Sequence, residues 1–374
     1  MLFSEIVDEF YEPKEYPALA LLLNEWERTK PFDGLRVLAA TPIFRNTMVQ
    51  YMALLAGGAI LSVGRSLGKG SAAMPFDSEV VEYVRDCGVP VVTDEDLRKG
   101  LTKDDFDLIL DCAGQFSFCK PRYGFVELTR SGVQFFENSE APVYVADSGI
   151  VKRIETILGT GDGYFRGLEY FGSRDFEGKN LVVFGSGKVG CGIALQGVQR
   201  GMNVRTVTDK LNSGAGTDFC DVLTRNNVQI VDFRDETSVS VAIGSADYLV
   251  TATGKKNVLS ESAVASLLSN DRLIVANMGV EDELGKGVSA DRALNAKAPL
   301  NFVLEEPTHL KYIDASLALH AALGEQLLAD FRNIKEGELP FSGPQDPPME
   351  LEQRLILTSM QNGVIGDEIY NLLT

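Results

Sequence analysis

The chain is poor in histidine, with two in 374 residues, and it has one tryptophan and five cysteines, none of them in a C-x-x-C pair. Two histidines give no basis for a His-based metal centre. An odd cysteine count in a chain of this size speaks against a disulfide framework and for a reducing, cytoplasmic compartment. Positive charge is scarce as well: 35 Lys and Arg against 53 Asp and Glu leave a net charge of −18. Such a surface repels nucleic acid and anionic membranes, so the expected partner is a small molecule. Long apolar runs are missing too. The longest, residues 52–63, is broken by Gly57 and Gly58 and is too short to span a bilayer. The first residues, MLFSEIVDEFYEPKEYP, lack the basic and apolar stretches of a secretory signal.

What the sequence does contain is concentrated in residues 181–209. The apolar run Leu181, Val182, Val183, Phe184 leads into Gly185-Ser186-Gly187-Lys188-Val189-Gly190, then into a helical apolar pattern, and then into a second strand-like run ending at Asp209. In a G-x-G-x-x-G turn the first glycine makes the bend, the second lets a pyrophosphate approach the backbone, and the third lets helix and strand pack closely. The following helix offers its free N–H groups to the phosphates. Asp209 stands where a carboxylate accepts from both ribose hydroxyls and repels a 2′-phosphate, which favours NAD over NADP; Lys210 beside it softens that preference.

Around this unit the pattern alternates strands and helices. A helical lead-in over 1–33 precedes strands at 35–40, 59–63, 89–92, 106–110 and 143–146, with helices at 44–55 and 78–87. Short apolar runs separated by amphipathic segments predict a parallel sheet covered by helices. The run from Gly64 through Gly68-Lys69-Gly70-Ser71 imitates a phosphate loop. Its glycines are spaced too closely, and Gly70 occupies the place of the hydroxyl ligand, so a loop is expected. Clustered glycines predict an inter-domain hinge near 159–163. Further strands are expected at 228–231, 248–252, 273–277 and 302–304. The loops Thr251-Ala252-Thr253-Gly254 and Asn277-Met278-Gly279 then lie at the carboxyl edge of the sheet, where ligands of such folds bind. A helix is expected over 315–331, a Pro- and acid-rich linker over 335–348, and an amphipathic segment over 351–373. The fold class is therefore α/β, with two Rossmann-like doubly wound parallel-sheet domains.

The glycine turn, Leu108-Ile-Leu-Asp111 with Gly114, Val143-Tyr-Val-Ala-Asp147-Ser148, Tyr248-Leu-Val-Thr-Ala-Thr-Gly254 and Ile274-Val-Ala-Asn277-Met-Gly279 follow one another at telling intervals. In this order and spacing the chain resembles the S-adenosylhomocysteine hydrolase family over residues 35–330. The resemblance implies a discontinuous substrate domain, 1–160 with 316–374, around an inserted NAD-binding domain, 161–315, with closure over the ligand. It implies a tightly held NAD that oxidises a nucleoside hydroxyl, eliminates and hydrates a thioether, and reduces the ketone again. It also implies a homo-oligomer, with the C-terminal segment as an arm to a neighbour or as an ordinary terminal helix.

The chemical half departs from that family. Pro42 stands at its early catalytic histidine, Cys112 at the aspartate after Asp111, Leu128 at a glutamate before a threonine run, and Val280 at the histidine after the Asn-x-Gly turn. Val151 aligns with its lysine unless a one-residue shift restores Lys152, Glu155 or Thr156 falls near its Asp-Asn pair, and Tyr370 is a poor match for its C-terminal tyrosine. The candidate catalytic residues are then Lys152, to hold a substrate hydroxyl or carboxylate, Glu155 and Asp147 for proton transfer, His309 in a loop at the domain return, and His320, where the family has a histidine. The structural alternatives are a solvated Lys152, helix capping by Asp147-Ser148, a core imidazole at His320 and a buried apolar Cys112. The expected function is NAD(H)-dependent hydride transfer to or from a small polar metabolite bound between the domains. The alternatives are S-adenosylhomocysteine hydrolysis with displaced groups, or a non-catalytic NAD-binding regulator.

Overall fold

The computed structural model describes residues 2–67, 75–100, 106–211, 217–332 and 334–373. The chain divides into two compact units, one formed by Met1–Glu155 with His309–Thr374, the other by Thr156–Thr308. Among the described residues there are twelve strands: β1 (Arg36–Ala39), β2 (Ile60–Arg65), β3 (Val91–Thr93), β4 (Leu108–Asp111), β5 (Gly124–Glu127), β6 (Pro142–Val145), β7 (Asn180–Phe184), β8 (Asn203–Thr208), β9 (Gln229–Asp232), β10 (Tyr248–Thr251), β11 (Ile274–Asn277) and β12 (Gly343–Gln345). No helix among these residues is long and apolar enough to cross a membrane.

The first unit carries a seven-stranded sheet in the order β12-β6-β5-β4-β1-β2-β3, and every pairing is parallel. Val37, Leu38 and Ala39 in β1 and Leu108, Ile109 and Leu110 in β4 are fully buried, as expected of central parallel strands covered on both faces. The chain runs outward from β1 to β3 and then crosses back to β4 on the other side of β1. That crossing makes the carboxyl ends of β1 and β4 a topological switch point, the place where ligands of open parallel sheets bind. The two chain segments of this unit are joined by Asp314, whose carboxylate accepts from Ala18 N and Leu19 N at 2.9 and 2.9 Å, at the open end of the helix Pro17–Thr29. Burial pushes the Asp314 carboxyl up to about 7 in spite of those two donors.

The second unit is a five-stranded parallel sheet, β11-β10-β7-β8-β9, with its switch point between β7 and β10. Both units are Rossmann-like and doubly wound, in agreement with the fold class expected from sequence.

Several expectations are corrected. Residues 302–304 form no strand; Leu300–Val303 is a short 3-10 turn after Pro299. The expected linker contains β12, a Gly-Pro-Gln edge strand paired with β6, and an edge is where proline is tolerated because no ladder N–H is needed. The strand β5 lies in a stretch where the apolar pattern predicts no element. The segment where the hinge is expected is helical, with a π-helical turn over Ile154–Gly159 running into the helix Thr160–Tyr170, and the division between the two units falls just before it, at Glu155 and Thr156. Its glycines serve close packing, since a Cβ on Gly161 would lie 2.7 Å from the Gly192 backbone. At the imitation phosphate loop, β2 runs through Gly64 to Arg65, and Gly68 to Ser71 lie outside the described residues. The C-terminal segment forms helices Met349–Asn362 and Gly366–Leu373, whose Leu355, Ile356 and Ile369 are buried. They pack within the first unit, as the terminal-helix alternative requires.

Candidate functional site

In the second unit the glycine turn leaves β7 and enters the helix Lys188–Gln199, with Gly187 as its N-cap. Gly185 has φ +110°, and a Cβ there would meet Ala252 O at 2.4 Å across the switch point. A Cβ on Gly190 would lie 2.1 Å from Gly185 O, so that position demands glycine for packing. Gly187 is different: a Cβ there meets nothing within 4 Å. Open space in front of a helix N-terminus is what an incoming pyrophosphate needs, so the residues present fit a dinucleotide. Lys188 and Val189 open the helix. Ser186 is buried, and its hydroxyl pairs with Thr208 Oγ1 at 2.8 Å, which ties the turn to the end of β8. Asp209 follows β8 directly and is partly exposed; it accepts from Leu211 N at 3.1 Å and pairs with Arg234.

On the other side of the switch point the predicted cofactor residues are braced by the protein itself. Thr251 Oγ1 donates to Asn277 Oδ1 at 3.0 Å, and Asn277 Nδ2 donates to the carbonyls of Gly279, Glu281 and Lys297 at 2.9, 2.8 and 2.8 Å. Gly279 N and Met278 N close the same turn, donating to Asn277 Oδ1 and Thr251 O. The side chains of Thr251 and Asn277 therefore shape the loop rather than point out of it. The sequence reading missed Glu283. Its buried carboxylate accepts from Thr253 N, Thr253 Oγ1 and Gly254 N at 2.8, 2.8 and 2.7 Å, occupying the N–H groups of Thr253 and Gly254 in the loop after β10. Burial raises the Glu283 carboxyl above its ordinary value while those donors pull the other way. Three acids follow Gly279 within four residues, and nothing in their order tells which one turns inward.

In the first unit, Asp111, Cys112, Asp147, Lys152 and Glu155 gather near the carboxyl ends of β4 and β6. Lys152 is 3% exposed, and its Nζ donates to Glu155 Oε2 at 2.7 Å. Burial pulls the Lys152 ammonium down, but Glu155 and Asp147 together outweigh it and leave its pKa above the ordinary lysine value. Lys152 is thus a fixed cation, suited to hold a hydroxyl or an oxyanion and unsuited to act as a base. It is not the solvated lysine of the alternative reading. Its short helix, Val151–Arg153, is capped from the C-terminal segment: Glu352 Oε1 accepts from Val151 N at 3.0 Å, and a Cβ on Gly149 would collide with that carboxylate. Ser148 Oγ donates back to Val145 O at 2.9 Å. The π-helical turn then carries Glu155 back onto Lys152, a device common where a helix serves a site.

Cys112 is buried. Burial pushes its thiol far up, and Glu127 pushes it further, so it is no nucleophile. Leu128 is buried and points no acid anywhere, but Glu127 beside it, also missed by the sequence reading, is a buried carboxylate. It accepts from Ala113 N, Gly114 N and Thr129 N at 2.9, 3.0 and 2.8 Å and holds the turn after β4 as Glu283 holds the turn after β10.

The histidines part ways. His309 is half-buried and lies in the non-helical stretch just before the long helix Leu310–Arg332, where the chain returns to the first unit, its carbonyl accepting from Tyr312 N. His320, in the same helix, is fully buried; Nε2 faces Val126 O at 3.0 Å and Nδ1 faces Gln50 Nε2 at 3.2 Å. A carbonyl can only accept and an amide nitrogen can only donate, so the ring is neutral with its proton on Nε2. Both nitrogens are spent, which corrects the catalytic expectation for His320. Burial lowers its pKa to about 4. A histidine depressed in the folded state stabilises the fold above the unfolded value of about 6.5, and that contribution is lost as pH falls toward the folded value. Relative to His320→Gln, wild type should lose about 2 kcal/mol between pH 7 and pH 5. Urea midpoints of both proteins measure this, and the difference is needed because Asp314, with its raised pKa, acts in the opposite direction. Parallel pH profiles would refute the assignment.

No family model matches the chain. It is 24% identical to the adenosylhomocysteinase of Thermoplasma acidophilum over 316 residues, covering 77% of this chain and 72% of that protein. It is 23% identical to the adenosylhomocysteinase of Thermoplasma volcanium over 378 residues, covering 87% of this chain and 86% of the relative. Among solved structures, a dipicolinate synthase chain from Bacillus halodurans superposes with a TM-score of 0.52 at 13% identity, covering 80% of this chain and 99% of that one, a likeness of fold. The chain is thus similar to adenosylhomocysteinases over most of its length, on an NAD-related scaffold.

Proposed function

We propose that this protein is an NAD(H)-dependent oxidoreductase that transfers hydride to or from a small polar metabolite. The observation that supports this reading most is Gly187, an N-cap whose missing side chain leaves open space before a helix N-terminus, with Asp209 at the end of the adjacent strand. The bound nicotinamide supplies the hydride acceptor or donor. The chain's own part is to hold the pyrophosphate at the helix Lys188–Gln199, the ribose at Asp209, and the loop after β10 in place through Thr251, Asn277 and Glu283. In the first unit Lys152 holds the substrate oxygen as a cation, while Glu155 and Asp147 receive or return its proton.

Hydrolysis of S-adenosylhomocysteine is the second reading, favoured by the buried Lys152–Glu155 pair. Against it stand Cys112, Leu128 and Val280, none of which transfers a proton at neutral pH at the positions where the resemblance places proton-handling groups. The test is a titration of the full chain with NAD and NADH, followed by a panel of hydroxy, keto and nucleoside metabolites with nicotinamide absorbance as the readout. The expected result is reversible reduction of bound NAD by one substrate class with no cleavage of S-adenosylhomocysteine. Cleavage of that thioether would establish the second reading. Absence of any redox change, together with an NAD-dependent protein partner, would make the protein a regulator instead.

A further inference from the structure

β8 and β9 run parallel in register, with Thr208 opposite Asp232, so the residues that follow each strand lie side by side. Arg234 uses this neighbourhood to reach across. Its guanidinium pairs with Asp209 through one nitrogen and lies 3.7 Å from Asp232 Oδ2 through another, while the backbone N–H of Arg234 donates to Asp232 Oδ1 at 3.0 Å. Lys210 is exposed next to Asp209. Asp235 is engaged as the N-cap of the helix Glu236–Gly244, accepting from Ser238 N at 3.0 Å.

A carboxylate alone at the end of the second strand would reject a 2′-phosphate by repulsion, whereas an arginine there accommodates one. This site holds both groups against each other, and both side chains are partly exposed, at 39% and 30%. We infer that Arg234 lets the adenosine subsite accept a 2′-phosphorylated dinucleotide as well as NAD, by turning from Asp209 to the phosphate. An ion pair this exposed is cheap to exchange. A guanidinium offers a phosphate two parallel donors, which replace the contacts it leaves. With NAD bound, Arg234 stays on Asp209 and the carboxylate keeps its remaining capacity for the ribose hydroxyls. With NADP, Arg234 and Lys210 face the phosphate and screen it from Asp209 and Asp232.

The inference rests on the dinucleotide reading of the glycine turn. Its test is the calorimetric affinity of the full chain for NAD and for NADP at one ionic strength, in wild type and Arg234→Gln. Wild type should bind the two with Kd values within about tenfold of each other, a difference of about 1.4 kcal/mol or less. Arg234→Gln should weaken NADP at least about tenfold, as loss of charge-assisted hydrogen bonds does, and shift NAD by no more than about threefold. Wild type that binds NAD but discriminates against NADP by more than about 100-fold would overturn this inference and leave the NAD reading standing. An equal loss for both ligands in Arg234→Gln would also overturn it, because it would mark a stacking role on the adenine. Failure of wild type to bind either dinucleotide would overturn the glycine-turn reading and this inference with it.

Discussion

Gly187→Val is expected to raise the Kd for NAD at least about 100-fold while moving the thermal midpoint by no more than about 2 °C. The two halves of that expectation come from one geometric fact. Gly187 has φ −69° and ψ −176°, a conformation any residue adopts, and a Cβ there meets no atom within 4 Å. A valine therefore costs the fold little, and its methyl groups occupy the space a pyrophosphate must enter. The other glycines of the same turn give the opposite outcome. Gly185 is at φ +110°, and a Cβ on Gly190 would lie 2.1 Å from a backbone oxygen that cannot move without displacing β7. Gly190→Ala should therefore cost about 3 kcal/mol or more as overpacking against backbone. Calorimetric titration with NAD and thermal unfolding of the two variants separate the binding glycine from the packing glycine. Wild-type affinity in Gly187→Val would refute the cofactor site.

The sheets were legible because their strands are written in an alphabet with one physical meaning. Strands such as Leu108-Ile-Leu and Leu181-Val-Val are apolar on both faces, and only a covered parallel sheet uses such a run. The glycine turn was legible for a similar reason, since the first and third glycines of its spacing, Gly185 and Gly190, meet the backbone where a side chain would not fit. Legibility failed where a residue's meaning depends on distant chain. β5 reads Gly-Phe-Val-Glu and ends in a carboxylate that looks solvent-bound until the turn after β4 folds over it. The glycines at 161 and 163 read from sequence only as a glycine cluster, and the structure shows them as the points where the helix Thr160–Tyr170 touches the backbone at Gly192 and Pro307. Residues 302–304 have a strand's composition but lie just beyond Pro299 in a 3-10 turn, with no sheet edge as partner. His320 could be placed in an apolar helix from its neighbours. That both its nitrogens are consumed follows only from Gln50 and Val126, which are remote in sequence. At the candidate site the sequence named Lys152, Glu155 and Asp147. It could not name Glu352, which aims the Lys152 helix from the far end of the chain.

Lys152→Met is expected to destabilise the protein by about 3 kcal/mol, because it leaves the mostly buried Glu155 carboxylate without its cation. The double substitution Lys152→Met with Glu155→Leu should recover most of that loss, since replacing both members of a buried pair by apolar groups of similar size is close to neutral. Equilibrium urea unfolding measures both, and the shortfall from additivity is the coupling between the two side chains. Stability alone would leave Lys152 as a packing device, so turnover decides its role. If the ammonium holds the reacting oxygen, both variants lose at least about 100-fold in kcat, a loss typical of a removed electrostatic stabiliser, whether or not stability has returned. NAD affinity should stay at the wild-type value in both, because the glycine turn belongs to the other unit and its geometry does not involve Lys152. A double variant that regains turnover together with stability would show that the pair only holds its short helix in place. The catalytic role would then have to be sought among Asp147 and the residues around the carboxyl end of β4.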